Sequence, residues 1–299
     1  QVHGVESFPT LRPHQTHPWH SFLVQLAALA IHRSGGDVEP APSEIWAKRL
    51  LALSDGQREA WCLVVPDLSK PAFFQPPVPE ESLNKFNKWP GGTPFPDEID
   101  MLVTAKNHDV KVRRIQRPTA SHWIFSLTTL QTSDGFLGRG NYGIVRMNGG
   151  FSSRPSIGFT PGLQPDERFR RDLHVLLSTR DTMFETFEFA KKEGRTLLWL
   201  PPWDGTDSIP LTSCDPYVVE ICRRIRLTET NLRVLAHGAP SQVTRAKAAN
   251  LNGRTGDPWN VIRIGDPAAS LTVSNSGFNY KLVHELLAAV SYSPGAALR

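Results

Sequence analysis

The chain has 299 residues, 39% of them hydrophobic and 21% charged, and carries a net charge of +4. That composition excludes a disordered or collagen-like chain and suffices for a large buried core. Three scattered cysteines (Cys62, Cys214, Cys222) exclude a disulfide framework and a cysteine-based zinc knuckle, which points to a reducing cytoplasm, and the longest apolar run, near Phe22–Ile31, is too short to cross a bilayer.

Residues 18–33 predict a helix, with Pro18 in the first turn, Thr16 as a cap and Gly35-Gly36 as a stop. Its apolar residues lie almost all round, so Trp19, Phe22, Leu23 and Leu26 are expected inside. A second helix is expected over 43–54 with Ser43 as cap, and a short third over 56–63. Residues 66–100 carry eight prolines and read as loop. Such length in a compact domain predicts a functional insertion or a segment held by a partner. Residues 120–133 read as a buried helix bearing Trp123, Phe125 and Leu127. Helices are expected over 166–177 and 181–193, strands over 196–203, 217–228, 231–237, 259–264 and 269–273, and a closing helix over 279–291. Helices lead and strands follow, an α+β pattern rather than a βαβ alternation.

The most distinctive stretch is 134–155, DGFLGRGNYGIVRMNGGFSSRP. It holds six glycines between Gly135 and Gly150, three arginines (Arg139, Arg146, Arg154) and no acid after Asp134. Glycine lets the main chain approach a ligand closely, and arginine supplies a charged fork suited to phosphate. Tyr142 and Phe151 are suited to stack on a base or a guanidinium. GRGNYGIV (138–145) also fits the Gly-x-Gly-x-x-Gly patterns of kinases and dinucleotide-binding proteins. Those patterns require strand–loop–helix context and downstream acids that the sequence lacks.

Two further segments are basic. Lys106–Arg117 holds five Lys/Arg against one Asp, a net +4 that equals the charge of the whole chain. SQVTRAKAANLNGR (241–254) has three cations and no acid. A solvated edge explains a basic run equally well, but two such runs beside a glycine–arginine loop favour nucleic-acid binding. No nucleophile–base set stands out. His17 and His20 lack a further ligand for zinc and read as surface and cap residues. No catalytic residue, metal site or cofactor is therefore expected.

RPHQTHPWHSFLVQLAALAIH (12–32), AKNHDVK (105–111), FLGRGNYGIVRMNGGFSSRP (136–155), LLWLPPWDG (197–205) and LNGRTGDPW (251–259) together resemble the large subunit of the type I-E CRISPR surveillance complex, Cascade. Order and approximate spacing match over essentially the whole chain. The resemblance implies a non-catalytic, cytoplasmic, prokaryotic protein of antiviral defence. It would be partnered by crRNA, target double-stranded DNA, other Cascade subunits and a helicase–nuclease effector, with no membrane contact. It would read the protospacer-adjacent motif (PAM) from the minor-groove side, help start unwinding and recruit the nuclease. It implies a large mixed α+β domain over 1–278 and the start of a C-terminal helical region over 279–299, with the family's four-helix bundle and glutamine wedge expected beyond the last residue. By the same resemblance the PAM loop falls on Arg146, Asn148, Gly149, Gly150 and Ser152, and a basic finger on Arg245 and Lys247. Contacts to the crRNA handle fall on Lys106, Asn107, His108, Lys111, Arg113 and Arg114. The alternatives left open are a phosphoryl-transfer or nuclease-like enzyme using the GRGNYG loop, or a generic RNA-binding scaffold.

Overall fold

A computed structural model describes residues 7–36, 41–100, 115–147, 154–272, 278–288 and 291–298. Helix α1 (Thr16–Ser34) is the central strut. Twelve of its residues are buried, and it packs against α2 (Ser43–Leu53), α3 (Ala120–Ser133), α4 (Pro165–Thr186) and the later strand β3. Phe22 and Leu26 are buried as expected, while Trp19 and Leu23 are half-buried at the margin of the same core. The helix ends as the sequence predicts, with Gly35 left-handed at φ 61° and the Gly36 N–H closing onto the Ile31 carbonyl at 3.2 Å. Its start differs. The Gln15 side chain, not Thr16, turns back, accepting from the Arg12 N–H at 3.0 Å.

Helix α3 begins and ends where the sequence places it, and Trp123, Phe125 and Leu127 are buried. The expected helix over 56–63 is reduced to one short turn at Arg58–Trp61. The two helices expected between 166 and 193 are a single α4, which stops at Thr186. The strands follow as β1 (Arg195–Leu197), β2 (Ile209–Pro210), β3 (Cys214–Val219), β4 (Arg224–Thr230), β5 (Arg233–Ala239), β6 (Ala246–Lys247), β7 (Val261–Arg263) and β8 (Ala269–Ser270). The stretch 279–299, expected to open a helical region, forms α5 (Tyr280–Ala288) and then strand β9 (Tyr292–Pro294), which returns to pair with β7. Ala297 is fully buried beyond it. The strands form small separate sheets. β1–β3 and β2–β6 are parallel, β4–β5 is an antiparallel hairpin, and β8–β7–β9 is antiparallel. Asn231 and Leu232 both take positive φ at the hairpin tip, the conformation a two-residue turn needs to match strand twist.

The single strand expected over 217–228 is broken into β3 and β4, and the cause is Gln131 on α3. Its carbonyl oxygen accepts from the N–H groups of Cys222 and Arg223 at 2.9 and 2.8 Å, and its amide donates to the carbonyls of Phe74 and Arg223. One buried side chain thus replaces the ladder bonds of the join.

The proline-rich segment 66–100 is held by its own chain rather than left to a partner. Arg226 of β4, fully buried, donates to the carbonyls of Val65, Asp67 and Lys70. Gln75 donates to Leu63 and Phe73 and accepts from the Leu227 N–H at 2.6 Å. Phe73 and Phe74 then fill the main core against Phe22 and Trp199. A second core lies under the hairpin, where Trp123, Leu127 and Leu130 meet Ile225, Leu227 and Ala236.

Candidate nucleic-acid interface

The glycine-rich stretch leaves α3 without a strand before it, and up to residue 147 no helix follows. The strand–loop–helix frame of a dinucleotide or kinase loop is therefore not built there. Instead the stretch doubles back on itself. The Ile144 N–H meets the Asp134 carbonyl at 3.1 Å, and the Leu137 N–H meets the Asn141 carbonyl at 2.9 Å. Gly143 is required by this fold-back, since a Cβ there would lie 2.5 Å from the Gly135 carbonyl carbon. Arg223 fastens both limbs. Its guanidinium pairs with Asp134 at 2.6 Å, donates to the Gly135 carbonyl at 2.7 Å, and donates to the Tyr142 carbonyl. Burial pushes the Asp134 carboxyl upward and the Arg223 charge opposes that.

Residues 148–153 lie outside the described residues, and so do the candidate contacts Asn148, Gly149, Gly150 and Ser152. Both stems of this loop are described, and each ends in a buried ion pair. On one side Arg146 Nε donates to Glu220 at 3.1 Å, Arg146 Nη2 donates to the Val218 carbonyl at 2.5 Å, and Glu220 also accepts from the Val145 N–H at 3.1 Å. On the other side the Arg154 guanidinium pairs with Asp257, and the Arg154 backbone N–H donates to the Ser133 carbonyl at 2.8 Å. The side chains of Arg154 and Asp257 are 2% and 0% exposed, so neither can reach a ligand outside. The structure thus places Arg146, expected as a DNA contact, in the interior as an anchor. A buried carboxylate needs its charge there. Of the three arginines in the stretch, Arg139 alone is exposed.

The basic segment 244–253 lies against this stem. The Asn260 amide donates to the carbonyls of Arg146 and Gly253 at 2.9 and 3.3 Å. Gly253, at φ 78°, sits so close that a Cβ would be 2.8 Å from the Met147 carbonyl carbon. The two segments bound a cleft of about 330 Å³ lined by Phe136, Tyr142, Ile144, Met147, Thr244 and Asn252, among others. Lys247 is exposed beside it. Arg245 is not. Only 1% exposed, it donates to the carbonyls of Leu198, Pro201 and Pro202 and lies over the Trp203 ring. Burial pulls its guanidinium down to about 10. Within the expected finger, then, Lys247 faces out and Arg245 holds the LLWLPPW turn.

Lys106, Asn107, His108, Lys111, Arg113 and Arg114 also lie outside the described residues. The ends of their run are again fixed by buried acids. Asp100 accepts from Gln15 at 2.6 Å and lies 2.7 Å from His14 Nε2, while Asp97 pairs with Arg12 at 2.5 Å and accepts from the Ile115 N–H at 2.9 Å. Among the described residues, no group of three or more His, Cys, Asp or Glu is placed to hold a metal. No helix among them is long and apolar enough to cross a membrane.

His17 and His20, read from sequence as surface and cap residues, are part of the packing behind the Arg154 anchor. Their rings lie 5.8 and 6.2 Å from the Trp259 ring, which Arg154 also covers. Asp172 gathers Trp259 Nε1 at 2.9 Å, Arg171 at 2.8 Å and His20 Nε2 at 2.8 Å. Burial lowers the His20 imidazole, and the bond to Asp172 only partly restores it. Burial and the charges of Arg154 and Arg168 lower His17 further. The unfolded chain thus takes up protons near pH 6.5 that the folded chain refuses. The stability these groups confer is complete above that pH and is lost as pH falls toward the lowered folded values. For His20 the slope is about 1.4 kcal/mol per pH unit at most. Asp172 adds a second loss at lower pH. Burial alone would raise its carboxyl, but the bonds from His20, Arg171 and Trp259 hold it below the usual range. Melting temperatures between pH 5 and 8 are expected to drop on the acid side of about 6.5, and a flat profile would contradict this.

The chain is thus an α+β protein in which two segments singled out by sequence are flanked by ion pairs on buried carboxylates, one of them beside a cleft with aromatic lining. No family model matches it, and no curated protein does. Among solved structures it is similar to a crystal structure of CasA from Thermus thermophilus, with 16% identity and a TM-score of 0.56 over 98% of this chain and 56% of that one. It is also similar to a second structure of Thermus thermophilus CasA (Cse1), with 15% identity and a TM-score of 0.50 over 97% of this chain and 58% of that one. The chain has the CasA fold, that of the Cascade large subunit its motifs resemble, and spans less than three fifths of the length of those structures.

Proposed function

We propose that this protein is the large-subunit component of a crRNA-guided DNA surveillance complex, acting by binding rather than by catalysis in a prokaryotic cytoplasm. In this reading the loop 148–153 contacts the PAM in duplex DNA through Asn148, Gly149, Gly150 and Ser152, with Lys247 as a nearby phosphate contact. Arg146 and Arg154 hold the loop's stems. Lys106, Asn107, His108, Lys111, Arg113 and Arg114 engage the crRNA handle. Loading on the PAM helps start unwinding, and the complex then recruits its helicase–nuclease. The observation that carries the reading is the CasA fold over 98% of the chain combined with a glycine loop closed by ion pairs on both sides. A main-chain loop in the minor groove distinguishes mainly A·T from G·C, so it suits a short, relaxed motif while guide pairing supplies the rest of the specificity.

The experiment is a titration of the protein into the remaining Cascade subunits with crRNA, at several salt concentrations. Wild type is expected to join the complex with a steep salt dependence. Replacing Lys111, Arg113 and Arg114 with Ala is expected to weaken association and flatten the slope by about 0.7–0.9 per lost phosphate contact. Motif preference survives in the fraction that stays bound, because phosphate contacts position and do not read sequence. Wild-type affinity and slope in the triple variant would leave the run as a solvated edge.

A further inference from the structure

We propose that the cleft between residues 135–147 and 244–253 holds one unpaired nucleobase of a nucleic-acid strand, stacked on Tyr142. The inference rests on the nucleic-acid reading above and names a second, separate contact.

Three observations carry it. First, the cleft has the size and chemistry for a single base. Its volume of about 330 Å³ lies at the low end of small-ligand sites, which run from about 300 to 1,000 Å³. Ile144 and Met147 give it an apolar floor, the Phe136 and Tyr142 rings an aromatic wall, and Thr244 and Asn252 a few polar groups. Second, the aromatic wall is held in place. The two rings lie 5.9 Å apart at 47°, and the Tyr142 main chain is pinned through its carbonyl by Arg223, itself tied to Asp134. Tyr142 and Asn252 bring a hydroxyl and a side-chain amide to the lining, groups that bond the polar edge of a base. A fixed, half-exposed ring beside apolar surface is the platform that single strands use, because every base has a face to stack.

Third, the charges distinguish a strand from a free nucleotide. Among the described residues, no charged side chain lines the cleft. Arg146 and Arg245, each adjacent in sequence to a lining residue, are buried in other duties. A mononucleotide phosphate drawn in with its base would therefore meet no cation of the described lining. The exposed cations on the two bounding segments, Arg139 and Lys247, lie outside the lining, where the backbone phosphates of a strand would run.

The test uses fluorescence anisotropy of a labelled 12-nucleotide single-stranded DNA of mixed sequence, at fixed salt, with adenosine monophosphate as competitor. Wild type is expected to bind the strand. Tyr142→Ala is expected to weaken it by about tenfold, since loss of one base–aromatic stack costs about 1–3 kcal/mol. Tyr142→Phe, which keeps the ring, is expected to bind as wild type does, and thermal melts of both variants check that the fold is retained. Adenosine monophosphate is expected not to compete. The proposal is overturned if wild type does not bind the strand, if Tyr142→Ala binds as wild type, or if the nucleotide displaces the strand. A parallel arm measures duplex binding by Gly149→Asp. Normal strand binding in Tyr142→Ala together with lost duplex binding in Gly149→Asp would remove this inference alone. Retained duplex binding in Gly149→Asp would remove the loop reading instead.

Discussion

Asp257→Ala is expected to destabilise the protein by about 3–5 kcal/mol, lowering its melting temperature by on the order of 10 °C. The reason lies in what remains. Arg154 is 2% exposed at its side chain, its charge is opposed by the nearby charge of Arg146, and the carboxylate it pairs with is Asp257, with Glu220 a smaller favourable influence. Burial already lowers the guanidinium, and Asp257 is the leading influence holding it up. Removing that carboxylate strands a cation in the interior, which costs far more than the pair itself contributes. The double variant Arg154→Leu with Asp257→Ala is accordingly expected to recover much of the loss. Thermal denaturation of the two variants beside wild type decides the matter. Equal destabilisation in both would show that Asp257 acts through its bond to the Trp259 N–H rather than through charge.

Helices were the most legible part of the fold. Residues 120–133 were readable to the residue because an apolar, glycine-free stretch runs up to the glycine-rich segment, and the structure adds Thr119 as its cap. The same holds for the end of α1, where Gly35 and Gly36 act locally. What sequence did not reveal was set by long-range side chains. YVVEICRRIRLT reads as one strand, and alternation would place Glu220, Arg224 and Arg226 on one face and Arg223 on the other, so that at least one charge faces outward. Instead Glu220, Arg223, Arg224 and Arg226 are all buried, because each serves a loop brought in from elsewhere. A run of charges within β-branched residues was the available signal, and its meaning depends on carbonyls up to 161 residues away. The short pairings β2–β6 and β7–β9 were missed for the same reason. Two or three residues of strand carry no period, and their partners lie far along the chain.

The candidate interface was legible as a list of segments rather than as an arrangement. Glycine content marked the loop, and charge marked 106–117 and 241–254. Charge alone could not separate anchors from contacts. Arg146, Arg154 and Arg245 are anchors because each sits beside a buried carboxylate or a set of inward carbonyls, whereas Arg139 and Lys247 are exposed. The juxtaposition of the glycine stem with 244–253 depends on Asn260 and Gly253, neither of which carries a signature of its own.

Gly149→Asp is expected to have the largest effect on function. The proposed loop approaches the minor groove with its main chain. Any side chain there fills the space the groove floor needs, and a carboxylate adds repulsion from the phosphates on either side. The anchors on both stems are untouched by the change, so folding and assembly are expected to survive. The direct measurement is binding of wild type and Gly149→Asp, each assembled with crRNA and the other subunits, to a pool of duplexes carrying every trinucleotide beside one fixed protospacer. Wild type is expected to enrich a small set of related trinucleotides at moderate salt. Gly149→Asp is expected to lose that enrichment and most of its duplex affinity while still co-eluting with the complex. Equal enrichment by the two proteins, or no enrichment by wild type, would contradict a PAM-reading role for this loop.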